Sequence, residues 1–299
     1  MDVVDFLPKY PNIRQTDKVL DPYDGAFNNV IFHKNEFYEN RLDKVEDFPR
    51  ERGGLMKHQI SIARYLSSHT MYNQLLLVHE MGTGKTCSVV GAIEHIRHED
   101  SSFDGAMIFA SGEPLLDNFN NELVFKCTGG EYIPDNYDDL PAQTKITRIH
   151  KSTRAYYHTY TFETFAKSIR GLSDEFIRRD YSNKIIVLDE VHNLRIQDIK
   201  FQRKDAQKLR IYDQFHRFLH VAQNTKIILL SGTPMKDSPD EIAGVMNLIL
   251  PLDQQLPTKA AFTEEFLEHQ NDGSFLVRDD KVDALKHAFK GRTSFLKVM

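Results

Sequence analysis

The chain has 299 residues, 40% hydrophobic and 27% charged, with a net charge of −5 from 38 basic and 43 acidic side chains. That is the composition of a globular protein with chain enough for one large domain or two small ones. It argues against a strongly basic nucleic-acid binder but leaves room for a local basic groove. Two cysteines, Cys87 and Cys127, make no disulfide framework, and both are expected reduced in an intracellular protein. No Cys/His metal spacing appears, residues 1–10 lack an apolar signal core, and no apolar run approaches the ~18 residues that span a bilayer. The chain therefore reads as soluble and not secreted, with no membrane partner.

Residues 1–49 are rich in Asp, Asn, Pro, Tyr and Phe and are punctuated by Pro8, Pro11 and Pro22. They read as an N-terminal extension of short elements packing on the body, with the start of a short helix at 38–42. Leu55, Gln59, Ile62, Ala63 and Leu66 then share one helical face. Gln59 is a polar residue in that inward stripe, and a buried amide needs partners. Either it bonds nearby backbone or it holds the edge of an adenine.

The apolar run 74–78 reads as a buried strand. It leads into His79-Glu80-Met81-Gly82-Thr83-Gly84-Lys85-Thr86, and a helix with Val89, Ile93 and Ile96 on one face follows. Strand, Gly-rich turn, Gly-Lys-Thr, helix is the phosphate-binding loop arrangement. Its glycines let successive N–H groups point at one anion, and the helix N-terminus adds partial positive charge. Gly82, Thr83 and Gly84 form the cradle, Lys85 reaches the β and γ phosphates of ATP, and the Thr86 hydroxyl ligates Mg²⁺. One departure is visible: the first glycine of the general G-x-x-x-x-G-K-T pattern is His79.

A second strand covers 106–110. Ser111-Gly112-Glu113-Pro114 breaks it, and a helix with Leu116, Phe119 and Leu123 follows. Residues 128–141 are loop-like and acidic. The alternation in 144–150 suggests a short strand, residues 156–162 are aromatic and β-branched, and 165–172 are helical.

The second landmark is the aliphatic strand 184–188, which ends in Asp189-Glu190-Val191-His192. Four consecutive large aliphatics indicate a strand buried on both faces, as in a parallel sheet. Carboxylates at its C-terminal end stand where such sheets place ligands. Asp189 is expected to hold Mg²⁺ through water, and Glu190 to orient and deprotonate the attacking water. Residues 195–210 are basic and read first as a solvated loop, with a DNA-facing patch as the alternative. A helix at 215–222 is followed by strand 226–230 and Ser231-Gly232-Thr233-Pro234. Ser231 and Thr233 stand where they can sense the γ-phosphate site through Glu190 or His192. Helices at 240–250, 262–268 and 282–289 precede an extended end at 290–296.

Leu-Met-Lys-His-Gln (55–59), Glu-Met-Gly-Thr-Gly-Lys-Thr (80–86), the strand before Pro114, Asp-Glu-Val-His (189–192) and Ser-Gly-Thr-Pro (231–234) stand in a fixed order. This series resembles the first domain of superfamily 2 helicases and translocases. The resemblance implies an α/β RecA-like P-loop NTPase fold, a mainly parallel sheet flanked by helices. Gln59 matches the adenine-reading glutamine, Gly82 to Thr86 motif I, Asp189 to His192 motif II, and Ser231, Gly232 and Thr233 the coupling motif III. The Met-Gly-x-Gly-Lys-Thr form is that of the Snf2-like branch. Within that branch the chain is similar to ATPases of large cytoplasmic DNA viruses, of the poxvirus early-transcription-factor and nucleoside triphosphate phosphohydrolase I type.

The resemblance covers residues 50–299 and implies three parts. These are the extension 1–49, a RecA-like domain at 50–252, and a helical connector at 253–299 toward a second RecA-like domain. That second domain supplies an arginine finger in the family, and no such block follows Ser231. The family also implies Mg²⁺-ATP, nucleic acid (DNA rather than RNA) contacted after Pro114, near Thr161 and after Pro234, a viral RNA polymerase as partner, and a cytoplasmic factory or virion as location. Two activities remain open at this point: a translocase or helicase, and a transcription-factor ATPase that remodels complexes without unwinding. A non-enzymatic binding module is disfavoured by intact Lys85, Thr86, Asp189 and Glu190.

Overall fold

The computed structural model describes residues 54–68, 70, 72–196, 210–271 and 273–297, with two short strands, β1 (Asn12–Ile13) and β2 (Lys18–Val19), paired antiparallel. The rest of the N-terminal extension and the basic stretch 197–209 lie outside the described residues.

Parallel pairing joins β3 (Gln74–His79), β4 (Ala106–Ala110), β5 (Tyr157–Thr161), β6 (Ile185–Leu188) and β7 (Lys226–Ser231), with a sixth strand from the C-terminal region. Every residue of β4, β6 and β7 is buried, which accounts for their unbroken aliphatic runs. The pleat sorts side chains to two faces. Leu75 and Leu77 enter one core cluster, whereas Leu76 between them enters the other.

On the first face lie α1 (Lys57–Tyr65), α2 (Lys85–Glu99) and α3 (Glu113–Glu122). Their Ile62, Val89, Ile93, Leu116 and Phe119 pack on Leu77, Ile108 and Leu230. A helix, α4 (Ala142–Thr153), stands where the alternation of 144–150 suggested a strand. The side chains that turn inward, Ile149 and Thr153, are four residues apart, one helical turn; Ile146 is half-exposed. The apparent period of two was a coincidence of a short window.

The second face is covered by α5 (Phe162–Ile169), α6 (Asp174–Tyr181), α7 (Ile211–Val221), α8 (Glu241–Asn247) and α9 (Ala260–Phe266). Phe109 of β4 is its centre, with the rings of Phe165, Phe215 and Phe218 at 4.6, 5.2 and 6.1 Å. The α6 helix was not read from the sequence, although Ser173 caps it by accepting from the Phe176 N–H and Asp174 and Glu175 follow in the first turn.

Beyond α9 an antiparallel pair, β8 (Leu267–His269) and β9 (Phe275–Val277), precedes α10 (Val282–Phe289) and the sixth strand, β10 (Thr293–Leu296). The order across the sheet is β10-β3-β7-β6-β4-β5. The stretch after residue 252 therefore puts Leu256, Phe262 and Phe266 into the core and an edge strand beside β3.

Candidate active site

Because β3, β7 and β6 are adjacent and parallel, three turns far apart in sequence emerge side by side at their C-terminal ends. They carry the phosphate-type loop, Asp189-Glu190 and Ser231-Gly232-Thr233.

The loop is already curled. Gly82 and Gly84 have φ of 85° and 76°, and Gly84 is the N-cap of α2, so Lys85 and Thr86 are the first two helical residues. The first turn of α2 holds no acidic residue to offset the dipole. The Thr83 hydroxyl donates to the Glu80 carbonyl at 2.7 Å, closing the loop on itself. Gln59 is buried: its Oε1 accepts from the Met56 N–H at 2.8 Å and its Nε2 donates to the Gly84 carbonyl at 3.0 Å. Both ends of the amide are thus on backbone, and one of them is on the loop itself. Beside it, His58 Nε2 lies 3.1 Å from the Thr83 carbonyl, a contact that sequence reading missed.

The acidic pair meets the loop across the cleft. Lys85 Nζ is 3.3 Å from Glu190 Oε1. Glu190 has φ 47° and ψ 53°, a left-handed conformation rare outside glycine and concentrated at functional sites. His192 Nδ1 is 3.2 Å from Glu190 Oε2 and 2.9 Å from Ser231 Oγ, and Ser231 Oγ accepts from the Thr233 N–H at 3.1 Å. A polar chain thus runs from Lys85 through Glu190 and His192 to Ser231 and Thr233. Burial holds the His192 pKa below its ordinary value. Gly232 is there for space: a Cβ on it would lie 3.1 Å from Lys85 Nζ.

Asp189 Oδ1 accepts from the Glu190 N–H at 2.9 Å. Burial, and then the neighbouring Glu190 charge, raise its pKa to about 6. The two adjacent carboxylates, Asp189 and Glu190, and the half-buried Thr86, which directly follows the Lys85 that contacts Glu190, are hard oxygen donors of the kind that suits Mg²⁺. A cavity of about 330 Å³ is lined by His192, Arg195, Pro234, Glu241 and Lys259 among others. Arg195 bridges Asp237 and Glu241 there, tying the end of the acidic turn to the loop after Pro234.

The cysteines correct the sequence reading. Cys87, directly after Thr86, forms a disulfide with Cys127, with Cα atoms 4.9 Å apart. A separation of 40 residues gave no sequence signal. The partners meet because α2 packs on the short π-helical turn Leu123–Cys127 that ends α3.

The comparisons agree with this geometry. The SNF2-related domain family matches residues 58–290. A putative helicase, 009L, of Frog virus 3 (isolate Goorha) is 37% identical over 98% of this chain and 29% of its own length. A putative helicase, 087L, of Invertebrate iridescent virus 3 is 36% identical over 83% of this chain and 25% of its own length. The chain thus spans less than a third of these relatives. Among solved structures, the Sulfolobus solfataricus SWI2/SNF2 ATPase core, determined in complex with dsDNA, superposes with a TM-score of 0.53 over 86% of this chain and 47% of that one, at 15% identity, a likeness of fold. The parallel sheet, the three converging turns and the matched span together make this chain a member of the SNF2-related domain family, with a RecA-like fold and relatives in large DNA viruses.

Proposed function

We propose that this chain is the ATP-binding RecA-like half of a nucleic-acid-dependent ATPase of a large DNA virus. The observation that carries the reading is the contact of Lys85 with Glu190, of Glu190 with His192, and of His192 with Ser231, across three adjacent strand ends. On ATP binding, Lys85 leaves Glu190 for the β and γ phosphates, which sit on the N–H groups of Gly82 to Thr86. Glu190, freed from its counter-ion, orients the attacking water and takes its proton. His192 and Ser231 carry the loss of that pairing to the Thr233 turn. Thr86 and Asp189 would hold Mg²⁺, which would neutralise phosphate oxygens when bound. Gln59 reads the adenine edge, its amide turning from the Gly84 carbonyl.

Nucleic acid, DNA rather than RNA, crosses the segments after Pro114, near Thr161 and after Pro234. They follow the C-terminal ends of β4, β5 and β7, the first two as the starts of α3 and α5, on the edge of the sheet from which the nucleotide loop leaves β3. Contacts there are to phosphate and fall with salt. The longer relatives leave room for a second RecA-like domain that brings an arginine finger, joined beyond a stretch (253–299) whose Leu256, Phe262, Phe266 and β10 belong to this domain's own core and sheet. A viral polymerase and a cytoplasmic factory or virion fit the same reading; among the described residues no helix is long and apolar enough to cross a membrane.

The alternative is an ATPase that remodels a transcription complex without opening duplex. Strand displacement separates the two: duplex opening favours a helicase, whereas ATP-driven tracking without opening favours the remodeller. For the core proposal, Lys85→Ala is expected to abolish saturable Mg²⁺-ATP binding. Unchanged affinity in that variant would remove the role given to the loop.

A further inference from the structure

The departure at the start of the loop has a structural partner. His79 is the last residue of β3, opposite Leu296 of β10, and its φ is not in the left-handed region, so its backbone does not demand glycine. Its imidazole is 1% exposed. Nε2 lies 3.0 Å from the hydroxyl of Ser294 on β10, whereas Nδ1 is buried without a hydrogen-bond partner among the described residues.

A half-satisfied imidazole in a buried site is a poor choice for stability alone, since an apolar pair would fill the same space with no orphan. What it adds is direction, and the geometry says where that acts. The next residue, Glu80, donates its N–H to the Leu296 carbonyl at 3.0 Å, so β10 holds both residues that open the loop. The His79 carbonyl stands 3.5 Å from the place of a Cβ on Gly232, beside Lys85 Nζ. The His58 ring lies edge-on at 5.9 Å and itself reaches the Thr83 carbonyl, so the two imidazoles bracket the loop. Burial, His58 and Lys85 lower the His79 pKa to about 4, so the ring is neutral around pH 7 and adds no charge against the phosphates.

We propose that His79 and Ser294 are a positioning pair: a hydrogen bond from the edge strand β10 fixes the entry of the phosphate loop, and ATP affinity depends on it. This rests on the reading of the chain as an ATP binder. The test titrates a fluorescent ATP analogue with Mg²⁺ into the 299-residue chain, and follows thermal unfolding of the same proteins without nucleotide. Ser294→Ala is expected to weaken binding about tenfold, with a fall in Tm of a few degrees because the buried His79 ring loses its partner, and Ser294→Thr, which keeps the hydroxyl, to bind within about twofold of the parent and to keep its Tm. His79→Phe keeps a packed ring and deletes the bond. It should match Ser294→Ala in affinity, and the double variant should lose nothing more. Parent-like affinity in Ser294→Ala overturns the pair. So does an equal fall of affinity and Tm in Ser294→Ala and Ser294→Thr, which is the signature of packing alone. A parent chain that does not bind the analogue overturns the ATP-binding reading itself, and the pair with it.

Discussion

Replacing Glu190 by Gln separates binding from chemistry. In the structure Glu190 does two things: it neutralises Lys85 at 3.3 Å and it contacts His192 at 3.2 Å. At an effective dielectric of about 20 the gross attraction to Lys85 is about 5 kcal/mol. The Glu190 side chain is 26% exposed, so solvent screening and desolvation reduce the net contribution to about 1 kcal/mol. If ATP must draw Lys85 away from Glu190, deleting the charge removes that cost and tightens ATP roughly fivefold. Losing the base slows turnover by about 10²–10⁴-fold. The assays are equilibrium titration of Mg²⁺-ATP into this chain and a phosphate-release time course, in the presence of DNA, on the complete protein that carries the second domain. Turnover within about tenfold of the parent would show that Glu190 is not the base, and affinity that falls instead of rising would show that it does not hold Lys85 back from ATP.

Gly232→Ala places a methyl 3.1 Å from Lys85 Nζ, and the flexible lysine tip gives way before the backbone does. ATP affinity should fall roughly tenfold with little change in Tm, and parent-like binding would refute the close approach. Reducing the Cys87–Cys127 bond frees a 40-residue loop and should lower stability by up to about 4 kcal/mol, read as a drop in Tm with a phosphine reductant. An unchanged Tm, with two titratable thiols before reduction, would contradict the linkage. Asp189, raised to about 6 from an ordinary 3.8, holds its proton more firmly folded than unfolded. Its contribution to stability is therefore present below about pH 4 and is lost as pH rises through about 6. Asp189→Asn should accordingly stabilise the ligand-free chain at pH 7 by up to about 3 kcal/mol, a gain that vanishes near pH 4 and that denaturant titrations at the two pH values would detect. A variant less stable than the parent at pH 7 would sink the argument.

Local chemistry was legible where one short stretch carries it. The strands ending at His79, Leu188 and Ser231 announced themselves as aliphatic runs, and the turns after them by residue type. What pairs across the fold was not. His79 stood out in sequence as a departure, but nothing marked Ser294, 215 residues away, as its partner. The same distance blindness hid the disulfide, because packing of α2 on the turn after α3 decides it. The missed contact of Lys85 with Glu190 is of that kind too: each residue was given its own role toward ATP, and their pairing at 3.3 Å depends on two strand ends 105 residues apart meeting in the fold. At α4 the error was one of period, since a seven-residue window holds fewer than two helical turns and too few apolar positions to tell three from two.

The most direct test of the central claim is the binding and turnover of Mg²⁺-ATP by the 299-residue chain, with and without single- and double-stranded DNA. The account predicts saturable binding that Lys85→Ala abolishes, with turnover that is near zero and insensitive to DNA until a second domain supplies its arginine. Absence of saturable binding would contradict the assignment of the site. Rapid, DNA-stimulated turnover by pure monomer would show that the chain already contains the groups assigned to the other wall of the cleft.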